Sequence, residues 1–109
     1  MQEDIANYTV DFKDLKDYMD LHHRIKESME FPQYYGCNLD ALWDCLTDLI
    51  CFDYVTIRFV NFQTVERKYP EEAAAIVEEL YDLKHIYKDE YYDVFAVFVE
   101  RNGVTQEIL

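Results

Sequence analysis

Glycine and proline are scarce in this chain of 109 residues, two of each, and no repeat or Gly/Ser linker interrupts it. Disordered segments are rich in Pro, Gly and Ser and poor in aromatics, whereas ten Tyr, seven Phe and one Trp are present here. A folded chain follows, and with no linker to divide it, residues 1–109 read as one domain. No stretch approaches the roughly 18 apolar residues of a membrane span. The acidic start Met1-Gln2-Glu3-Asp4 has no apolar segment behind it, so no secretory signal is expected. Cys37, Cys45 and Cys51 are odd in number and fit neither a C-x-x-C pair nor a disulfide framework. Free thiols in a reducing cytoplasm are the expectation.

Positive charge is also in short supply. Ten Lys and Arg stand against 23 Asp and Glu, a net charge of −13. That sign argues against nucleic acid or an anionic membrane as ligand and favours a basic protein partner, drawn in by the field of the whole molecule. Solubility alone would also account for the charge, so its distribution must decide.

The pattern along the chain reads as an α/β fold. Ile5 to Val10 is a short strand. From Asp11 to Glu30 the residues Leu15, Tyr18, Met19, His22, Ile25 and Met29 recur at helical spacing, predicting an amphipathic helix that ends near Phe31-Pro32. Asn38 is a good N-cap for Leu39 to Ile50, whose Leu39, Leu42, Trp43, Leu46, Leu49 and Ile50 form an apolar stripe. A β-branched and aromatic segment at about Tyr54 to Val60 is the second strand. Gln63 to Tyr69 fits a short helix, and Pro70 takes the first position of a longer one that keeps Ile76, Leu80 and Leu83 on one face. Val94 to Val99, within Asp93 to Glu100, is an unbroken apolar run and reads as a strand buried on both faces. Asn102-Gly103 is a hairpin signal before Thr105 to Leu109. Together these predict a small three-stranded parallel sheet packed by about four helices, with an extra C-terminal antiparallel edge strand.

The chemistry concentrates on the Asn38 helix. Asp40, Asp44 and Asp48 recur at i, i+4 and i+8, stacking on one face, with no Lys or Arg from Phe31 to Ile50. Each like-charged pair costs a helix on the order of 0.2–0.5 kcal/mol, and only Asp40 is well placed to gain from the helix dipole. A solvated surface would carry such a row without aromatics, but Tyr34, Tyr35 and Trp43 stand beside it, as at an interface.

The run from Phe31 to Thr47, with Tyr34-Tyr35-Gly36-Cys37-Asn38-Leu39-Asp40-Ala41-Leu42-Trp43-Asp44 at its heart, resembles the signature of the barstar family of ribonuclease inhibitors. Elsewhere the likeness is one of element order and length. The resemblance implies an intracellular inhibitor, an immunity protein or antitoxin, that places this helix and its preceding loop in the active-site groove of a basic, secreted or toxin ribonuclease of barnase type. It implies that Asp44 stands in for a substrate phosphate, that Asp40 meets the same basic groove, and that Tyr34, Leu39, Trp43 and Thr47 line the contact. Asn38 matches the start of the helix, where capping is its physical role. Asp48 and Leu49 stand where the family has glycine and tryptophan, implying a partner that differs from barnase at one edge. The family also contacts its partner through an acidic residue of the last helix. Keeping Leu80 and Leu83 inward gives Asp82, and a shifted alignment gives Glu79. The expected state is a monomer without cofactor.

Other chemistries fit less well. Asp40 and Asp44 as acid and base of a hydrolase would need an enclosing pocket, which a helix packed by its opposite side does not make. His22, His23 and His85 include no i, i+4 pair for a metal; His22 falls on the apolar stripe and His23 is free to face solvent. Cys45 reads as lying on the outer side of the Asp44 helix, and neither it nor Cys51 has a base spaced for nucleophilic work. An acidic adaptor or nucleic-acid mimic, binding another basic protein, shares the charge but does not require Trp43 and Tyr34.

Overall fold

Three alternating segments build a sheet whose strands lie side by side in chain order. The computed structural model describes residues 5–52, 54–86 and 95–108. In it β1 (Ile5–Asp11), β2 (Tyr54–Val60) and β3 (Phe95–Arg101) run parallel, and β4 (Val104–Glu107) adds antiparallel to β3. Parallel neighbours need crossover connections. Between β1 and β2 these are α1 (Tyr18–Ser28) and α2 (Leu39–Phe52); between β2 and β3 they are α3 (Gln63–Lys68) and α4 (Pro70–Ile86). Asn102 (φ 52°) and Gly103 (φ 85°) are both left-handed, the requirement of the tight turn that joins β3 to β4.

Every strand residue described as buried lies on one face of the sheet: Val10, Val55, Ile57, Phe59, Phe95, Val97 and Val99. Against them pack Leu21 and Ile25 of α1, Leu42, Leu46 and Ile50 of α2, and Ile76, Leu80 and Leu83 of α4. Each such side chain contributes roughly 1.5–3 kcal/mol on burial. The expectation that β3 is buried on both faces is corrected. Ala96, Phe98 and Glu100 are only half-buried, and the Arg58 guanidinium lies 4.7 Å over the Phe98 ring on that face. A sheet with one face on the core and one toward solvent alternates in burial, and an apolar run can satisfy that pattern too. Asp93 and Val94 lie outside the described residues.

The first helix is also shorter than its periodicity predicts. Residues 12–17 form a loop, with Asp14 left-handed at φ 55°. Phe12 and Leu15 drop into the core from that loop rather than from a helix face. The helix begins where Asp17 accepts from the Asp20 amide at 2.8 Å while Asp20 accepts from the Lys16 amide at 2.9 Å, a reciprocal cap. Arg24 holds the loop, donating to the carbonyls of Asp11, Lys13 and Asp14 and pairing with Asp20. Met19, predicted on the buried stripe, is 48% exposed, since at about 100° per residue it lies off the line that Leu21, Ile25 and Met29 bury.

Candidate functional site

The acidic helix is held at its start by its own sequence. Cys37 takes a left-handed conformation (φ 56°), and Asn38 then caps α2. Its Oδ1 accepts from the Ala41 amide at 2.8 Å, its carbonyl accepts from the Leu42 amide at 3.0 Å, and its Nδ2 donates to the Gly36 carbonyl at 3.3 Å. Leu42, Leu46 and Ile50 are buried, while Leu39, Trp43 and Leu49 pack half-buried at the rim of the core. That leaves Asp40, Asp44 and Asp48 exposed on the remaining face, with Asp40 in the first turn near the positive end of the dipole. Among the described residues no ion pair uses an α2 carboxylate. Thr47 is half-buried and donates its hydroxyl hydrogen to the Trp43 carbonyl at 2.7 Å, so toward any partner it offers only an acceptor.

The loop before α2 splits its two tyrosines. Tyr34 is 80% exposed, whereas Tyr35 is 4% exposed and turned into the core. Cys45 is buried rather than outward, a correction to the sequence reading, since it follows Leu42 by three positions and so shares the inner stripe. Burial, then Asp48 and Asp44, raise its thiol above the ordinary range and keep it unreactive. The Cys51 side chain lies outside those described.

On α4 Asp82 is exposed and Glu79 half-buried. The Glu79 carboxyl is pushed up to about 7, first by burial and then by the charges of Asp40, Glu72, Asp44 and Asp82. Its Oε1 is enclosed and has no hydrogen-bond donor among the described residues. Asp40, Asp44, Asp82 and Glu79 thus gather where α2 meets α4. Tyr34, Asp48 and Leu49 belong to a different edge, where with Tyr8, Met29 and Cys45 they border a shallow groove of about 360 Å³.

Sequence reasoning found the acidic row but missed the polar network beneath it. His22, fully buried, has Nδ1 2.9 Å from the Tyr35 hydroxyl and Nε2 3.1 Å from Glu72 Oε1, which also accepts from the Tyr18 hydroxyl at 3.0 Å. Burial lowers the His22 pKa and outweighs the raising effect of Glu72. The only hint in the sequence was a histidine on an apolar stripe. His23 is exposed, and exposed His85 donates from Nδ1 to the Tyr81 carbonyl at 2.8 Å. Among the described residues no three His, Cys, Asp or Glu side chains assemble to hold a metal ion. Nor is any helix there long and apolar enough to cross a membrane.

Two comparisons bear on this arrangement. A family model described as Barstar (barnase inhibitor) matches residues 5–100, from the start of β1 to the penultimate residue of β3. A Bacillus subtilis (strain 168) protein named "Putative ribonuclease inhibitor YrdF" is 34% identical over 94 residues, covering 84% of this chain and 94% of that relative.

Proposed function

The chain belongs to the barstar family, and from that premise we propose that it is an intracellular inhibitor, an immunity protein or antitoxin, that plugs the active site of a barnase-type ribonuclease with α2 and the loop before it. The observation that carries this reading is the exposed row Asp40, Asp44 and Asp48 on a capped, core-packed helix, with no ion pair to those carboxylates among the described residues. A ribonuclease active site holds phosphate with Arg, Lys and His, and a carboxylate fixed on a rigid helix offers the same groups an acceptor that is not cleaved. Asp44 takes the place of the phosphate. Asp40 meets the surrounding cations, with Asp82 joining from α4, while Tyr34, Leu39, Trp43 and Thr47 supply the rest of the contact. Asp48 fits a partner whose groove differs from that of barnase at one edge. The molecule binds and blocks rather than catalyses, since its carboxylates lie open on a helix face instead of paired in a pocket. Free thiols at Cys37 and Cys45 fit a reducing compartment.

A charge mimic would use the same carboxylates without the aromatics. Ribonuclease inhibition by wild type, Trp43→Ala and Tyr34→Ala separates the two. A specific inhibitor loses at least about 2 kcal/mol of affinity at one of these positions. Inhibition unchanged by both substitutions but abolished by salt would assign the chain to the charge-mimic class.

A further inference from the structure

Two elements of the proposed binding face, the loop before α2 and α4, meet α1 at one buried ring. Tyr35 belongs to the loop that carries Tyr34 and leads to the Asn38 cap, His22 to α1, and Glu72 to α4, which carries Asp82. As a carboxylate Glu72 only accepts, so His22 Nε2 bears the hydrogen, and the neutral Nδ1 accepts from the Tyr35 hydroxyl. The ring is fully buried, Glu72 is its one ion-pair partner among the described residues, and burial depresses its pKa, which keeps this neutral arrangement in place near pH 7. The loop's other described hydrogen bonds lie at its ends, within it or on the exposed surface: the Phe31 amide donates to the Lys26 carbonyl at 2.9 Å where α1 ends, and Asn38 Nδ2 donates to the Gly36 carbonyl at 3.3 Å where α2 begins. Tyr35 donates its amide to the Pro32 carbonyl at 3.0 Å within the loop, and Lys26 Nζ reaches Gln33 Oε1 at 3.4 Å on the exposed surface. The Tyr35 ring also rests on Phe31, with centroids 5.3 Å apart, but stacking does not fix the ring's long axis as a hydroxyl bond does.

We propose that His22 is a positioning residue for the binding face: through Tyr35 it fixes the loop that presents Tyr34 and starts α2, and through Glu72 it ties that loop to α4. The inference rests on the reading of α2 and its loop as the partner-binding surface. Because His22 touches no partner, its loss leaves the charges that drive encounter in place and loosens the docked state, so dissociation responds and association does not.

The two ring nitrogens can be removed separately. His22→Asn keeps an oxygen near the Nδ1 position, able to accept from Tyr35. His22→Gln keeps a nitrogen near Nε2, able to donate to Glu72. Tyr35→Phe deletes only the hydroxyl and keeps the protein readable should a His22 variant fail to fold. Dissociation of folded variants from an immobilised barnase-type ribonuclease is expected to be about tenfold faster for His22→Gln and for Tyr35→Phe, no faster in the double variant, and between these and wild type for His22→Asn, which keeps the bond to Tyr35 but loses the tie to Glu72. A role confined to core stability would lower the urea midpoint of all three and leave the dissociation of folded protein unchanged. That result, or additive effects in the double variant, overturns the proposal while leaving the reading of the face intact. Wild type that does not bind such enzymes overturns both.

Discussion

The environment of Glu79 disfavours its charge. Its carboxyl ordinarily titrates at 4.5 and is raised here to about 7 by burial, reinforced by Asp40, Glu72, Asp44 and Asp82. Between those values the folded chain keeps a proton that the unfolded chain has released, so stability falls as pH rises through the window and the deficit is complete above it. Glu79→Gln should therefore stabilise the free protein by about 1–2 kcal/mol at pH near 8, less than the whole shift would carry because part of the side chain meets solvent. The gain should disappear below about pH 3.5, under the ordinary value of 4.5, where the wild-type carboxyl is neutral in both states. Urea midpoints of both proteins across that range check the sign; a variant less stable than wild type at the alkaline end would contradict it. Glu79 was legible in the sequence only as an alternative to Asp82 on a helix face. Its burial depends on how α4 meets α2, which helical spacing along one segment does not express. The His22 network was hidden for the same reason, since its partners lie 13 and 50 residues away in the chain.

At the level of elements, the second helix was readable almost to the residue because its start is chemically explicit. Asn38 supplies the cap, Asp40 sits in the first turn, and the apolar stripe from Leu42 to Ile50 gives the inward face. Asn38→Ala should cost about 1 kcal/mol of stability, read as a lowered urea midpoint at unchanged m-value. It should also weaken partner binding by more than the cap alone explains, since Asp40 lies on the turn that frays; equal affinity at full saturation of the folded state would contradict this. The first helix was less legible. Leu15 continues the periodicity of Ile25 and Met29 although it packs from a loop, and the Arg24 contacts that hold this loop to Asp11, Lys13 and Asp14 are tertiary. Likewise the apolar run of β3 was ambiguous, because Phe98 spends its bulk beneath Arg58 on the open face rather than in the core.

For the molecule as a whole, the net charge of −13 gave the direction of the answer and the motif from Phe31 to Thr47 gave its content. Charge alone was equally consistent with a solubilising surface. Family membership over residues 5–100 favours the inhibitor reading. An acidic inhibitor and a basic enzyme attract at long range, and barnase with barstar is itself the standard worked case of such steering. Salt should accordingly slow association much more than it hastens dissociation, because screening acts on the approach and far less on desolvated pairs. The most direct measurement is the dissociation constant of wild type and Asp44→Ala with a barnase-type ribonuclease, at low and at high salt. If Asp44 stands in for the phosphate, its removal leaves the enzyme's cations buried without a partner and weakens binding by about 3–5 kcal/mol, a hundredfold to several thousandfold, and most of that loss persists at high salt. A variant that binds within about threefold of wild type, or whose deficit vanishes once charges are screened, would contradict the phosphate-mimic reading.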